Sequence, residues 1–291
     1  MMEDEYRNEK RLVRRAFDRA AQSYDAAAVL QREVGERMVS RLDYVKVDPG
    51  RILDAGSGTG KGKRDLSARF PQAALFELDL APSMLMQSRP EVPWWKKPFA
   101  ESPLQVCGDI ERLPLKSSSF GMVWSNLALQ WCDDLDAALC GFHRVLEVDG
   151  LLMFSTFGPD TLKELRSAFS GMDGHVHVNR FIDMHDIGDA LIRAGFSNPV
   201  LDMENFTLTY SDVKSVMMDL KAIGAHNAMI GRPRGLFGKN AWARVVDSYE
   251  RMRKDGLLPA TFEVVYGHAW KAQPNKLPDG SGIVRFERRL K

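Results

Sequence analysis

The stretch LDAGSGTGKG, Leu53 to Gly62, decides the fold. It closes a short apolar run at residues 51–55, which reads as a strand, and breaks into glycines at 56, 58 and 60. The dinucleotide fingerprint G-x-G-x-x-G would place its third glycine at 61, where this chain carries Lys61, so the spacing speaks against NAD and FAD. Without Cβ atoms there, the backbone can approach a ligand closely, and the helix expected at 61–70 offers free N–H groups to the ligand's polar end.

Outward from this turn, short apolar runs alternate with amphipathic stretches. Strands are expected at 74–78, 104–107, 121–125 and 151–156, with helices at 82–88 and 136–145 between them. That alternation predicts a doubly wound, mostly parallel α/β sheet, whose ligands bind beyond the carboxyl ends of the strands. Three acids fall at those ends: Asp54 after the first strand, Asp79 nineteen residues past Gly60, and Asp109 after the third. Asp79 stands where an acid accepts both hydroxyls of a ribose, and Asp109 with the backbone of Ile110 stands where an adenine edge would lie. Asp54 is placed to hold an ammonium, directly or through water. Any one of these could be a helix cap or loop carboxylate; acids after three successive strands are a stronger signal.

The chain has 291 residues, 44% of them apolar and 27% charged, with 40 bases against 39 acids and a net charge of +1. This excludes a disordered chain and a general polyanion binder, so no nucleic-acid partner is expected. The opening MMEDEYRNEKRLVRRAF interleaves acids and bases and has no apolar block, and no stretch approaches a membrane span, so no membrane partner and a cytoplasmic location are expected. Cys107, Cys132 and Cys140 form no CxxC pair or Cys/His cluster and read as buried or partly buried free thiols, with no metal.

Residues 9–47 read as helical, ended by Pro49–Gly50. Helices at 160–169 and 183–194, the second closed by Gly195, precede strands at 200–210 and 260–270. The residues between these strands, 211–259, are far too many for a hairpin loop and read as a helical insertion covering the site, a lid. The tail after Trp270 reads as loosely ordered, its terminal RFERRLK an edge strand or a frayed end. The whole is expected to be a single domain, with N-terminal helices at 1–48, a cofactor-binding core at 49–158 and the lid at 211–259.

The glycine turn and its three acids resemble the class I S-adenosylmethionine-dependent methyltransferases. That resemblance implies a Rossmann-like seven-stranded sheet with its last strand antiparallel. It also implies a cofactor site built from Asp54, Gly56, Gly58, Gly60, Asp79, Leu80, Asp109, Ile110 and Asn126. Two departures stand out: Ser57 where many members have Cys, and Val148–Asp149–Gly150 where Pro-Gly-Gly is common.

Motifs across nearly the whole chain, most specifically SNLALQW (125–131) and LKAIGAHNAMIGR (220–232), resemble the malonyl-acyl-carrier-protein O-methyltransferases of biotin synthesis. That implies methyl transfer from S-adenosylmethionine to the free carboxylate of a malonyl thioester on acyl-carrier protein. A carboxylate is already ionised at neutral pH, so no general base is required. A group must still hold its other oxygen, and the candidates are Tyr24, Arg180 and Arg232, with Asn227 and Trp131 shaping the pocket. His177 and His226 read as loop residues rather than catalysts. An acidic carrier calls for a basic docking face, expected from Arg232, Arg234, Lys239 and Arg244, with Lys163 and Arg166. Two rival readings are a methyltransferase for a small free acid such as aconitate and a methyltransferase-fold assembly factor of respiratory complex I, which DTLKELR (160–166) and DIGDALIRAGF (186–196) resemble. A monomer is expected.

Overall fold

Seven strands form one sheet: β1 (Arg51–Ala55), β2 (Ala74–Asp79), β3 (Gln105–Cys107), β4 (Phe120–Asn126), β5 (Leu146–Phe157), β6 (Phe196–Tyr210) and β7 (Leu258–Lys271). Their order in the sheet is β3-β2-β1-β4-β5-β7-β6. The pairs from β3 across to β5 are parallel, and β7 runs antiparallel to both β5 and β6. The order in which successive strands are added reverses between β1 and β4, and this switch point opens the ligand crevice at the carboxyl edge. The structure, a computed structural model, describes residues 4–89, 103–233, 235 and 238–273.

Both faces of the sheet are covered because side chains alternate along strands whose two sides are apolar. Ile52, Met122 and Trp124 point to one face, where α3 (Val29–Arg41) and α4 (Lys61–Arg69) bring Leu30, Val34, Met38 and Leu66. Leu53 and Val123 point to the other, where α6 (Leu135–Val145) and α8 (Met184–Arg193) bring Phe142, Leu139, Ile187 and Leu191. Each such side chain, fully buried, contributes roughly 1.5–3 kcal/mol. Asp134 caps α6 by accepting the Ala137 N–H at 2.8 Å, and Gly195 closes α8 with φ 92°.

The long N-terminal helix expected at 9–47 is three pieces, α1 (Lys10–Ala20), α2 (Tyr24–Ala27) and α3, followed by a 3-10 turn at Leu42–Tyr44. The break falls in QSYDAAA, where the Ser23 N–H bonds back to the Ala20 carbonyl and Ala28 leaves helical geometry with ψ 48°. α1 packs on α5 (Pro82–Gln87) through Ala20, Ala21, Ala81 and Met84. The helix expected at 160–169 begins only at Lys163, as α7 (Lys163–Phe169), because Leu162 adopts φ 55° and Arg166 turns its guanidinium onto the Pro159 and Thr161 carbonyls. The insertion holds α9 (Val213–Ala222) and α10 (Lys239–Glu250), whose Val216, Leu220, Val245 and Tyr249 pack with Leu165 and Ala168 of α7.

Cys107 and Cys140 are exposed, contrary to the expectation of buried thiols; only Cys132 is partly covered. Among the described residues no helix is long and apolar enough to cross a membrane. Most of the tail after Trp270, RFERRLK included, lies outside the described residues.

Candidate active site

The turn after β1 uses its three glycines differently. Gly56 has φ 80°, and a Cβ there would lie 2.3 Å from the Ala128 Cβ; Gly60 has φ 81°, and its Cβ would lie 2.5 Å from the Ser88 Cβ. Both are therefore demanded by packing as well as by left-handed backbone. Among the described residues, Gly58, with φ 53°, has nothing within 4 Å of where its Cβ would stand, so its bare side faces open space. Ser57, 7% exposed, carries a buried hydroxyl with no hydrogen-bond partner among them.

Asp79 closes β2 beside this turn. Its Oδ2 accepts the Gly58 N–H at 2.9 Å and its Oδ1 the Ala81 N–H at 2.8 Å. Burial pushes its pKa up to about 6, against the pull of those backbone donors. Leu80 follows, half-buried, and its carbonyl faces the Cys107 thiol. Asp54 is 3% exposed, and its Oδ2 faces the Gly62 backbone of α4 without a partner. Burial, then the neighbouring carboxylates of Glu77, Asp79 and Asp65, hold it well above the usual carboxylate range.

Asp109 caps the 3-10 turn Ile110–Arg112 through the Glu111 N–H at 3.1 Å and pairs with Lys10 of α1 at 3.3 Å. Ile110, 9% exposed, packs within reach of Gly56, so Gly56, Gly58, Gly60, Asp79 and Ile110 share one cleft. Asn126 faces elsewhere: its Nδ2 donates to the Gln31 carbonyl of α3 at 2.9 Å, and its Oδ1 accepts the Ser155 hydroxyl of β5 at 2.8 Å. Its amide ties helix to sheet.

The N-terminal helices roof this cleft. Tyr24 of α2 packs on the cluster of Ala20, Ala21, Ala81 and Met84; burial first, then the charges of Asp79 and Asp25, push its phenol well above the ordinary range. Thr59 Oγ1 in the glycine turn donates to Asp25, and Asp18 of α1 accepts the Ser83 N–H at 3.0 Å. Lys10 also donates to the Trp131 carbonyl at 3.2 Å, while Phe17 meets the Trp131 ring edge-on with centroids 5.2 Å apart. Phe17, Asp18 and Asp25 lie in AFDRAAQSYDAAAVLQ (16–31), itself one of the family-like stretches, but neither they nor Lys10 stand out singly, because no local spacing gives their partners.

A cavity of about 950 Å³ lies beyond the carboxyl ends of β4 and β5, lined in part by Leu129, Gln130, Thr156, Phe157, Phe169 and Phe181. No glycine-turn residue lines it; the segment after β4 contributes Leu129, Gln130 and Cys132 to its wall. Of the five substrate-orienting candidates, Arg180 alone lines this cavity, exposed and with no hydrogen bond or ion pair to a described residue. Tyr24 and Trp131 sit in the cofactor roof. Asn227 and Arg232 serve as ties: Asn227 donates to the Val176 carbonyl at 2.6 Å, and Arg232 bonds the Met229 carbonyl at 2.7 Å and Glu9 at 3.1 Å. His177 pairs with Asp173 at 2.8 Å and stacks on Phe169.

The expected basic face does not assemble. Arg232 is held by Glu9, Lys163 pairs with Asp160 at 2.8 Å, and Arg166 is spent on backbone carbonyls. Lys239 and Arg244 remain exposed on α10, and Arg234 lies outside the described residues.

A family profile described as a methyltransferase domain matches residues 53–154. The malonyl-[acyl-carrier protein] O-methyltransferase of Laribacter hongkongensis is 60% identical over 98% of this chain and 98% of its own length. The enzyme of that name from Gallionella capsiferriformans is 57% identical over 99% of this chain and its own full length. This chain belongs to the malonyl-[acyl-carrier protein] O-methyltransferase family.

Such coverage means that members of this family share the N-terminal roof and the insertion, not only the methyltransferase core. In fold the chain is also similar to the YcgJ protein of Bacillus subtilis, with a TM-score of 0.54, 15% identity, and coverage of 83% of this chain and 99% of that one. The cleft fits the family's cofactor, S-adenosylmethionine. Among the described residues, Gly58 offers bare backbone to open space, Ser57 a hydroxyl without a partner, and Asp79 a carboxylate that keeps acceptor capacity beyond the Gly58 and Ala81 N–H groups.

Proposed function

We propose that this chain transfers a methyl group from S-adenosylmethionine to the free carboxylate of a malonyl thioester carried by acyl-carrier protein, a step of biotin synthesis. The observation that carries this reading is identity of 57–60% that runs through the roof and the insertion as well as the core.

When bound, the cofactor supplies an electrophilic methyl group. Asp79 would accept the ribose hydroxyls, the backbone at Gly58 would close on the ligand, and Ile110 would cover the adenine. The roof of α1 and α2 keeps water out, which strengthens every charge interaction inside. The malonyl end enters the cavity beyond β4 and β5. There Arg180 holds one carboxylate oxygen through its planar fork, leaving the other to attack. The phenylalanines of the cavity wall accept the methyl ester, which has lost its charge. No residue is asked to remove a proton, so positioning and desolvation provide the acceleration.

The test is to incubate the protein with S-adenosylmethionine and malonyl-loaded carrier, with free malonate, aconitate and a free arginine peptide as parallel acceptors. Methyl ester on the carrier alone supports this reading. Transfer only to a free acid supports the small-acid alternative.

A further inference from the structure

We propose that the exposed face of α1 is the docking surface for the acidic carrier protein. This rests on the function proposed above and adds to it the place where the partner binds. In KRLVRRAFDRA, Val13, Ala16 and Ala20 are buried against the fold. The opposite side presents Arg11, Arg14 and Arg15, spaced i, i+3, i+4 on one face, with Arg19 a turn further on.

Some surface arginines elsewhere are firmly paired. Arg37 and Arg41 of α3 are held by Glu33, Asp202 and Glu204 at 2.5–2.8 Å. On α1, by contrast, Arg11, Arg15 and Arg19 have no ion pair to a described residue, and Arg14 reaches Asp18 only at 3.8 Å. Burial first, then Lys221 and Arg19, hold His226 below its ordinary range, so the positive field continues onto α9. In a chain of net charge +1 this is a concentrated local charge.

The location also fits. Glu5 to Asn8, which line the acceptor cavity, run directly into α1, so Arg11 follows the cavity wall by three residues of chain. A partner seated on α1 therefore holds its thioester arm at the cavity mouth. An anionic membrane would also meet arginines, but the apolar side of α1 is buried in the fold and cannot insert. A protein partner is therefore favoured.

The test is the double variant Arg11→Glu/Arg15→Glu, with Lys239→Glu/Arg244→Glu on α10 for comparison. For the α1 variant, the KM for malonyl carrier should rise at least tenfold at low salt and less at high salt, with kcat and S-adenosylhomocysteine affinity within twofold of wild type. The α10 variant should change KM less than twofold. If the reversal prevents folding, Arg11→Gln/Arg15→Gln should still raise KM threefold or more. An unchanged KM, a larger effect from α10, or lost binding to phosphatidylglycerol vesicles with carrier KM intact would overturn the docking face. A wild-type protein that methylates no malonyl thioester defeats the functional reading. One that methylates the carrier while the α1 variants keep its KM defeats the docking face alone.

Discussion

Asp79 and Gly58 are joined by a hydrogen bond of 2.9 Å from the Gly58 N–H to Asp79 Oδ2, which fixes the glycine turn to the end of β2. The same carboxylate is the proposed ribose acceptor, so it both shapes the turn and binds the ligand. Asp79→Ala should lower S-adenosylhomocysteine affinity by about 30-fold or more, on the order of 2–3 kcal/mol for charge-assisted hydrogen bonds. Calorimetric titration checks this, and wild-type binding would show that the ribose lies elsewhere.

The pH dependence follows from the raised Asp79 pKa, about 6 in the folded protein against an ordinary 3.8. Between those values the folded state holds the proton and the unfolded chain does not. Asp79 therefore contributes stability fully below about pH 4, and that contribution is lost as pH rises through 6. Ligand-free wild type should lose more stability between pH 4 and pH 7 than Asp79→Asn, by about 3 kcal/mol at most for a two-unit shift. Parallel denaturant unfolding at both pH values measures the difference. Cofactor affinity should rise over the same window as the carboxylate ionises.

Two glycine substitutions separate folding from binding. Gly56→Ala puts a methyl 2.3 Å from the Ala128 Cβ at φ 80° and should destabilise the fold by several kcal/mol. Gly58→Ala meets only open space at φ 53°, so it should cost about 1–2 kcal/mol of stability yet abolish most cofactor binding. Thermal melts with and without S-adenosylhomocysteine distinguish the two.

Arg180 and Arg232 should behave in opposite ways. Arg180→Ala should cut kcat/KM for the malonyl substrate by about 100-fold while leaving S-adenosylhomocysteine affinity unchanged. Arg232→Ala breaks a partly exposed pair with Glu9 and should change stability by at most about 1 kcal/mol, with activity near wild type. Steady-state kinetics on the two purified variants checks the contrast.

The glycine turn was legible because strand, acid, glycines and helix are contiguous, so spacing alone constrains them. The positions of Asp79 and Ile110 beside that turn were legible because each lies at or just past the end of its strand. Asn126 and Arg232 were not: both lie in conspicuous motifs, yet the structure gives their polar atoms to Ser155, Gln31, Met229 and Glu9, partners distant in sequence. Tyr24 of the N-terminal roof was a candidate from the sequence, but the roof's contacts were not legible, because pairs such as Asp25 with Thr59 and Lys10 with Asp109 depend on how α1 and α2 pack across the sheet edge. The break between these helices was masked by the alanines on either side of QSYD, whose propensity favours helix.

Mass spectrometry of malonyl-loaded acyl-carrier protein, after incubation with this protein and S-adenosylmethionine, reads the proposed methyl transfer itself. The carrier should become heavier by one methyl group in place of a hydrogen, a gain lost again on ester hydrolysis. An unmodified carrier, with the protein folded and cofactor-bound, would contradict the proposed transfer.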